Sequence, residues 1–223
     1  MNSERRQPSD GYADGGALRA TNSARQMSNV AAIILAAGRS TRFGPGPKQL
    51  TSLQGRPLVR HALEAAVGSL AEPVIVVTGH RADEIEASLE ALPVLIVRSL
   101  AFGDGLSTSL KAGFAALPRH SRAAVVLLGD MPLITTRLID ILVRGWRSMG
   151  EPAALVPTVD GQRGNPVVLS RELECLIREL SGDIGAGSIL RGRPDVMECP
   201  VDDPAIFQDV DTPDELGRIA RCM

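Results

Sequence analysis

Short runs of Val, Ile, Leu and Ala alternate along this chain with longer stretches in which apolar residues recur every three or four positions. The first pattern predicts strands buried on both faces, the second amphipathic helices that cover them. Strands are expected at 30–35, 74–78, 94–98, 123–128, 154–159, 165–169 and 196–199. Helices are expected at 57–70, 82–91, 106–117, 135–147, 171–180, 184–190 and 212–221, several preceded by a capping Ser, Thr, Asp or Gly. Alternating strands and helices imply a mainly parallel sheet. Only residues 160–164 separate the fifth and sixth strands, too few for a crossover, so that pair must be a hairpin. The expected fold class is α/β: a single Rossmann-like three-layer domain, residues 30–223, with a mostly parallel mixed sheet and one antiparallel strand.

Before Val30 the pattern stops. Residues 1–29 are mainly Ser, Arg, Gln, Gly, Asp and Asn, so burial cannot offset the entropy of ordering them. A disordered tail is expected there, the plainer alternative to a functional role being an overlong start with Met27 as the true beginning. The 24 Lys+Arg nearly balance 26 Asp+Glu, which leaves no broad field to attract nucleic acid or an anionic membrane. An aromatic content of 3% argues against stacking on single-stranded nucleic acid. No apolar run reaches the ~20 residues of a membrane span, and no signal-peptide pattern opens the chain. Cys175, Cys199 and Cys222 are scattered without a Cys-x-x-Cys pair, which suits a reducing compartment and a cytoplasmic reading.

The first strand runs into Leu35-Ala36-Ala37-Gly38-Arg39-Ser40-Thr41-Arg42-Phe43-Gly44, followed by Pro47-Lys48. Ligands of open α/β sheets collect beyond strand carboxyl ends. The small residues admit a ligand close to backbone amides that can bind phosphate, while Arg42 and Lys48 supply positive charge, so a triphosphate suits this loop. Lys48 lacks the following Ser or Thr of a P-loop, and Gly44-Pro45-Gly46 lacks the third glycine of a dinucleotide fingerprint. The plainer reading is a Gly/Pro-rich surface loop with solvated charges. Two acidic segments are also placed for ligand chemistry. Asp130 follows the apolar run 123–128 in a Gly-Asp-Met-Pro turn, and Asp211 precedes a helix in Asp-Val-Asp-Thr-Pro, with Thr212 as its cap. Brought together, two carboxylates can hold Mg²⁺; taken singly, one makes a turn and the other supports a helix start.

Leu-Ala-Ala-Gly, Arg42, Gly44 and Pro-Lys, in this order, resemble the signature of the nucleotidyltransferases that include the molybdenum cofactor cytidylyl- and guanylyltransferases. The resemblance implies that the loop wraps a nucleoside triphosphate through Leu35, Ala36, Ala37, Gly38 and Arg39, with Arg42 and Lys48 on the phosphates. It implies metal ligands at Asp130 and Asp211 for Mg²⁺, or Mn²⁺ in its place; Asp209, two residues earlier, is expected to face the opposite way on an extended strand and is not counted among them. Catalysis would rest on Arg42, Lys48 and Asp130, with no side-chain nucleophile. Gly105 and Ser107, in a Gly/Ser turn opening a helix, are expected near the base, the alternative being a plain capped helix. Gly164, Asn165 and Pro166, with Gly182, Asp183 and Gly185 of a Gly-Asp-x-Gly-Ala turn, resemble acceptor-binding blocks of the cytidylyl branch; otherwise they form a hairpin and an interhelix turn.

The implied reaction is transfer of CMP from CTP to a molybdopterin-type phosphorylated acceptor, with release of pyrophosphate. Ala36-Ala37-Gly38, where guanylyl relatives more often carry Ala-Gly-Gly, leans toward CTP over GTP. Similar proteins accompany molybdenum hydroxylases, which makes such an enzyme a potential docking partner. Rival readings are a GTP-using transferase, a noncatalytic cofactor carrier and a nicotinamide-nucleotide-dependent reductase on the same fold. Nucleic acid and membrane are not expected partners.

Overall fold

The computed structural model describes residues 29–40, 42–44 and 46–222. The expected tail therefore lies outside the described residues except for Asn29, whose carbonyl accepts the Arg122 N–H at 2.7 Å and so belongs to the sheet. Among the described residues the strands are β1 (Val30–Leu35), β2 (Ser52–Leu53), β3 (Arg56–Pro57), β4 (Val74–Thr78), β5 (Val94–Arg98), β6 (Ala123–Leu128), β7 (Ala154–Val159), β8 (Gln162–Arg163), β9 (Val167–Ser170) and β10 (Val196–Pro200). The α-helices are α1 (Leu58–Val67), α2 (Ala82–Ser88), α3 (Leu106–Ala115), α4 (Thr136–Ser148), α5 (Glu174–Glu179), α6 (Gly187–Leu190) and α7 (Pro213–Cys222).

Every residue of β1 is buried, and its side chains divide by strand alternation into two layers. Val30, Ala32 and Ile34 join Leu63, Ile85 and Leu142 of α1, α2 and α4 in one apolar cluster. Ala31, Ile33 and Leu35 join Leu110, Ile177 and Leu190 of α3, α5 and α6 in another. The result is a three-layer α/β/α domain. The main sheet runs β10-β7-β9-β6-β1-β4-β5, with β8 beside β7. From β1 the chain builds outward through β4 to β5, then returns to the other side of β1 as β6, both pairings of β1 being parallel. This reversal opens a crevice beyond the carboxyl ends of β1 and β6, where Leu35 and Leu128 stand opposite each other.

β9 runs antiparallel between β6 and β7. It starts at Val167 rather than 165, because Asn165 gives its N–H to the Ile206 carbonyl and Pro166 has none to give to a ladder. The hairpin turns at Asp160-Gly161, both at positive φ (51° and 76°), and the short β8 returns along β7 before the chain leaves for β9. A second short hairpin, β2 and β3 around Gln54-Gly55 at φ 52° and 77°, was not expected. The helix expected at 171–180 opens with a 3₁₀ turn, Arg171–Leu173, and that expected at 184–190 shrinks to α6, because the preceding turn is used to cap α3. A third apolar cluster, Phe43, Leu53, Leu58, Val210 and Ile219, binds the first loop to the segment before α7 and to α7 itself. Among the described residues no helix is long and apolar enough to cross a membrane.

Candidate active site

The crevice at the switch point is a cavity of about 690 Å³. Its floor is built by three segments that are remote in sequence. After β1 the loop brings Arg42 and then Lys48, which opens a 3₁₀ turn, Lys48–Leu50. After β6 comes Asp130. The third segment is tied to the second by the backbone: Val210 N–H donates to the Asp130 carbonyl at 2.9 Å, which sets Asp211 beside Asp130. Burial of Val210 in the third cluster and a capping box on α7 hold this segment. In that box Glu215 Oε2 accepts the N–H groups of Asp211 (2.8 Å) and Thr212 (2.9 Å), while Glu215 N–H donates to Thr212 Oγ1 (3.3 Å).

Lys48 Nζ lies 2.6 Å from Asp130 Oδ2 and 3.0 Å from Asp211 Oδ1, and Arg42 Nη1 lies 2.8 Å from Asp211 Oδ2. Only 6% of Lys48 is exposed, and burial is the largest single influence on its ammonium, pushing its pKa down. The charges and hydrogen bonds of Asp130 and then Asp211 together outweigh that, so the net displacement is upward and the lysine stays protonated. Asp209 is close enough to matter: burial raises its pKa, and Asp130 and Asp211 raise it further. Residues two apart on an extended segment share a side, so strand alternation gives no reason to separate Asp209 from Asp211. Among the described residues no group of three or more His, Cys, Asp or Glu is arranged to hold a metal by itself.

The expected nucleotide residues divide. Leu35, Ala37, Gly38, Arg39, Arg42, Lys48 and Gly105 line the cavity, as do Asp130 and Asp211, whereas Ala36 is fully buried behind it. Ser107 is also fully buried and does not line the cavity; Ser109, two residues further along α3, does. The α3 N-terminus is not free either, since Asp183 Oδ1 accepts the Leu106 N–H and the Gly182 carbonyl accepts the Ser107 N–H, each at 3.3 Å. Gly105 is required at this junction: its φ is 107°, and a Cβ there would lie 2.3 Å from the Gly182 carbonyl carbon. Arg39 stacks its guanidinium 5.6 Å from the centre of the Phe102 ring across the cavity wall.

A second cavity of about 300 Å³ continues from the first past Leu35, Leu106 and Leu128. Gly164, Asn165 and Gly185 line it, among mostly aliphatic side chains. Asp183 faces the first cavity, and Pro166 is buried below. Gln49, Phe102, Ser109 and Glu215 were not singled out from the sequence. Gln49 stood next to a lysine that was, and Glu215 completes a Thr-x-x-Glu capping pattern legible in Thr212-Pro213-Asp214-Glu215.

Residues 32–197 match the MobA-like NTP transferase domain. The chain belongs to that family. The family match contains the loop and Asp130 but stops short of Asp211, which only the fold carries to the site. The chain is 30% identical to the nicotine blue oxidoreductase of Paenarthrobacter nicotinovorans, over 85% of this chain and 96% of that one. It is 30% identical to the molybdenum cofactor cytidylyltransferase of Escherichia coli, over 85% and 94%. It also matches the bifunctional protein GlmU of Pelobacter propionicus, at 32% identity over 71% of this chain, but spans only 38% of that protein. Among solved structures, an Rv0371c homologue from Mycobacterium sp. strain JC1 superposes with a TM-score of 0.76 at 31% identity, over 87% of this chain and 96% of that one. A manganese complex of Rv0371c from Mycobacterium tuberculosis gives 0.71 at 26% identity, over 87% and 99%.

Two features of this MobA-like domain yield predictions. Ser107→Ala is expected to leave the KM for nucleotide unchanged and to raise unfolding stability by ~1 kcal/mol, read by urea denaturation, because the buried Ser107 hydroxyl has no hydrogen-bond partner to lose. The backbone donors of Asp211 and Thr212, in that order, hold the Glu215 carboxylate below the ordinary glutamate range. Its stabilisation is present above the unfolded glutamate pKa and lost as pH falls through the lower folded one. The difference in melting temperature between the natural chain and Glu215→Gln is therefore expected to be largest near neutrality and to vanish in strong acid.

Proposed function

We propose that this protein transfers a nucleoside monophosphate, CMP from CTP, to a molybdopterin-type phosphorylated acceptor and releases pyrophosphate. The observation that carries the reading is the junction of Lys48, Asp130 and Asp211, residues 82 and 163 positions apart from the lysine, on the floor of one cavity. Asp130 Oδ1 is buried there without a hydrogen-bond partner, an acceptor whose natural complement is a cation, and this donor set of carboxylate oxygens fits Mg²⁺ or Mn²⁺. Asp130 and Asp211 would hold the ion, which when bound neutralises phosphate charge. Since no group of three such side chains is arranged to hold a metal among the described residues, the remaining ligands fall to water and the nucleotide's own phosphates.

The chain's own residues align and stabilise. Arg42 and Lys48 bring two positive charges to the place where charge accumulates on nonbridging and leaving oxygens, and the loop amides add donors. The acceptor phosphate, whose second pKa is about 6, is already ionised near neutrality and needs no side-chain base. Its oxygen forms the new bond to the α-phosphorus as the α–β bond breaks, and pyrophosphate departs. The second cavity, reached without leaving the crevice, is the place for the rest of the acceptor, next to Asn165 and Gly185.

Similarity to nicotine blue oxidoreductase favours a second reading, reduction by a nicotinamide nucleotide. The two carboxylates joined through a buried lysine suit a metal-assisted phosphoryl transfer, which puts the transferase reading first. The test is pyrophosphate release from CTP and from GTP, side by side, with Mg²⁺ and the pterin acceptor. Turnover preferring CTP supports the proposal; bleaching of NADPH without pyrophosphate release supports the reductase.

A further inference from the structure

Four side-chain polar atoms among the described residues are buried without a hydrogen-bond partner: Gln49 Oε1, Ser107 Oγ, Ser121 Oγ and Asp130 Oδ1. Two of them, on Gln49 and Asp130, belong to residues lining the main cavity. Gln49 is only 5% exposed and follows Lys48 directly in the 3₁₀ turn. That turn is fixed by Leu50 N–H to the Pro47 carbonyl (3.0 Å) and Thr51 N–H to the Lys48 carbonyl (3.1 Å). The Gln49 side chain reaches the turn that carries Asp130, for a methyl built on Gly129 would stand 2.9 Å from Gln49 Oε1. A leucine here would pack without burying an unpaired amide, so packing alone gives no reason for a glutamine.

Resting on the reading of Asp130 and Asp211 as cation ligands, we propose that Gln49 is a positioning residue for that cation: its carboxamide oxygen accepts a hydrogen bond from a water in the ion's hydration shell. The requirement comes from ligand number. Mg²⁺ and Mn²⁺ keep several waters when a protein offers two carboxylates, and each such water has protons that need acceptors. Side chains that orient metal-bound groups in this way are worth roughly 10- to 100-fold in metal affinity.

The experiment is Mn²⁺ titration of the full chain followed by electron paramagnetic resonance, with a non-hydrolysable CTP analogue present, alongside metal-free thermal melting. Gln49→Leu, which deletes the acceptor, is expected to weaken Mn²⁺ roughly 10- to 100-fold while melting at or above the temperature of the natural chain. Gln49→Glu, an acceptor without the amide donor, is expected to bind at least as tightly as the natural chain. If Gln49→Leu melts low, Gln49→Met deletes the same acceptor with a slimmer side chain and takes its place. Unchanged affinity in the acceptor-deleted variant overturns the proposal, and so does Gln49→Glu losing as much as Gln49→Leu. Asp130→Asn separates the two readings. If it binds Mn²⁺ as the natural chain does, or the natural chain binds none, the two-aspartate reading fails and this proposal with it. If Asp130→Asn is weakened and Gln49→Leu is not, only the role of Gln49 fails.

Discussion

Lys48→Met is expected to lower the rate of pyrophosphate release by about 10²- to 10³-fold, the range found when one donor to a transition-state oxyanion is removed. In the same variant, Mn²⁺ binding without nucleotide is expected to become tighter, by ~10-fold or more. The two effects share a cause. The Lys48 ammonium stands 2.6 Å and 3.0 Å from the carboxylates assigned to the metal, so lysine and metal compete for the same negative charge. A unit charge a few ångströms away in a partly buried site is worth a kcal/mol or more, enough for the tenfold change. When nucleotide phosphates enter, they supply the negative charge that the ammonium gives up, which makes metal binding depend on nucleotide in the natural chain and less so in the variant. The metal-free variant is also expected to melt lower, because two neighbouring carboxylates lose their counter-ion, and Mn²⁺ is expected to restore it. Metal affinity unchanged or weakened by Lys48→Met would show that the lysine does not compete.

Asp130→Asn is expected to abolish measurable Mn²⁺ binding and to cut turnover by at least ~10²-fold, with circular dichroism close to that of the natural chain and a lower melting temperature, because the buried Lys48 ammonium keeps only Asp211 as its close counter-ion. The substitution keeps the volume of the side chain and removes its charge. The contact that brings the two acidic segments together survives, since Val210 donates to the backbone carbonyl of residue 130 rather than to its side chain. A single carboxylate, Asp211, is then left to hold the cation, with Lys48 as competitor. Turnover at the natural rate in this variant would remove Asp130 from the mechanism.

The layered fold was legible because its signals are local. Continuous apolar runs such as Val-Ala-Ala-Ile-Ile-Leu at β1 and Ala-Ala-Val-Val-Leu-Leu at β6 leave no polar face, so they had to be central strands covered on both sides. Misjudged boundaries fall where side chains or loops compete with the backbone pattern. The helix expected from residue 184 gives up its first turn because Gly182 and Asp183 cap α3 instead, and the strand expected from residue 165 starts late because the Asn165 N–H is spent on Ile206. Ser107 and Ser109 could not be told apart by composition. Which one faces the cavity depends on how α3 is rotated against β1 and β4, and that is set by the packing of Leu110 and Phe114.

What the chain determined by itself is the parallel sheet, the small-residue loop after its first strand and the charged residues available there, because strand burial and loop composition follow from short stretches of sequence. That Lys48 joins Asp130 to Asp211 was decided by tertiary structure alone. No local pattern relates residues 82 and 163 positions apart; a backbone hydrogen bond from Val210 and the burial of Val210 and Ile219 against Phe43 and Leu58 do so. The orphaned oxygens of Gln49 and Asp130 are likewise invisible in sequence, since burial without a partner is a property of the assembled floor.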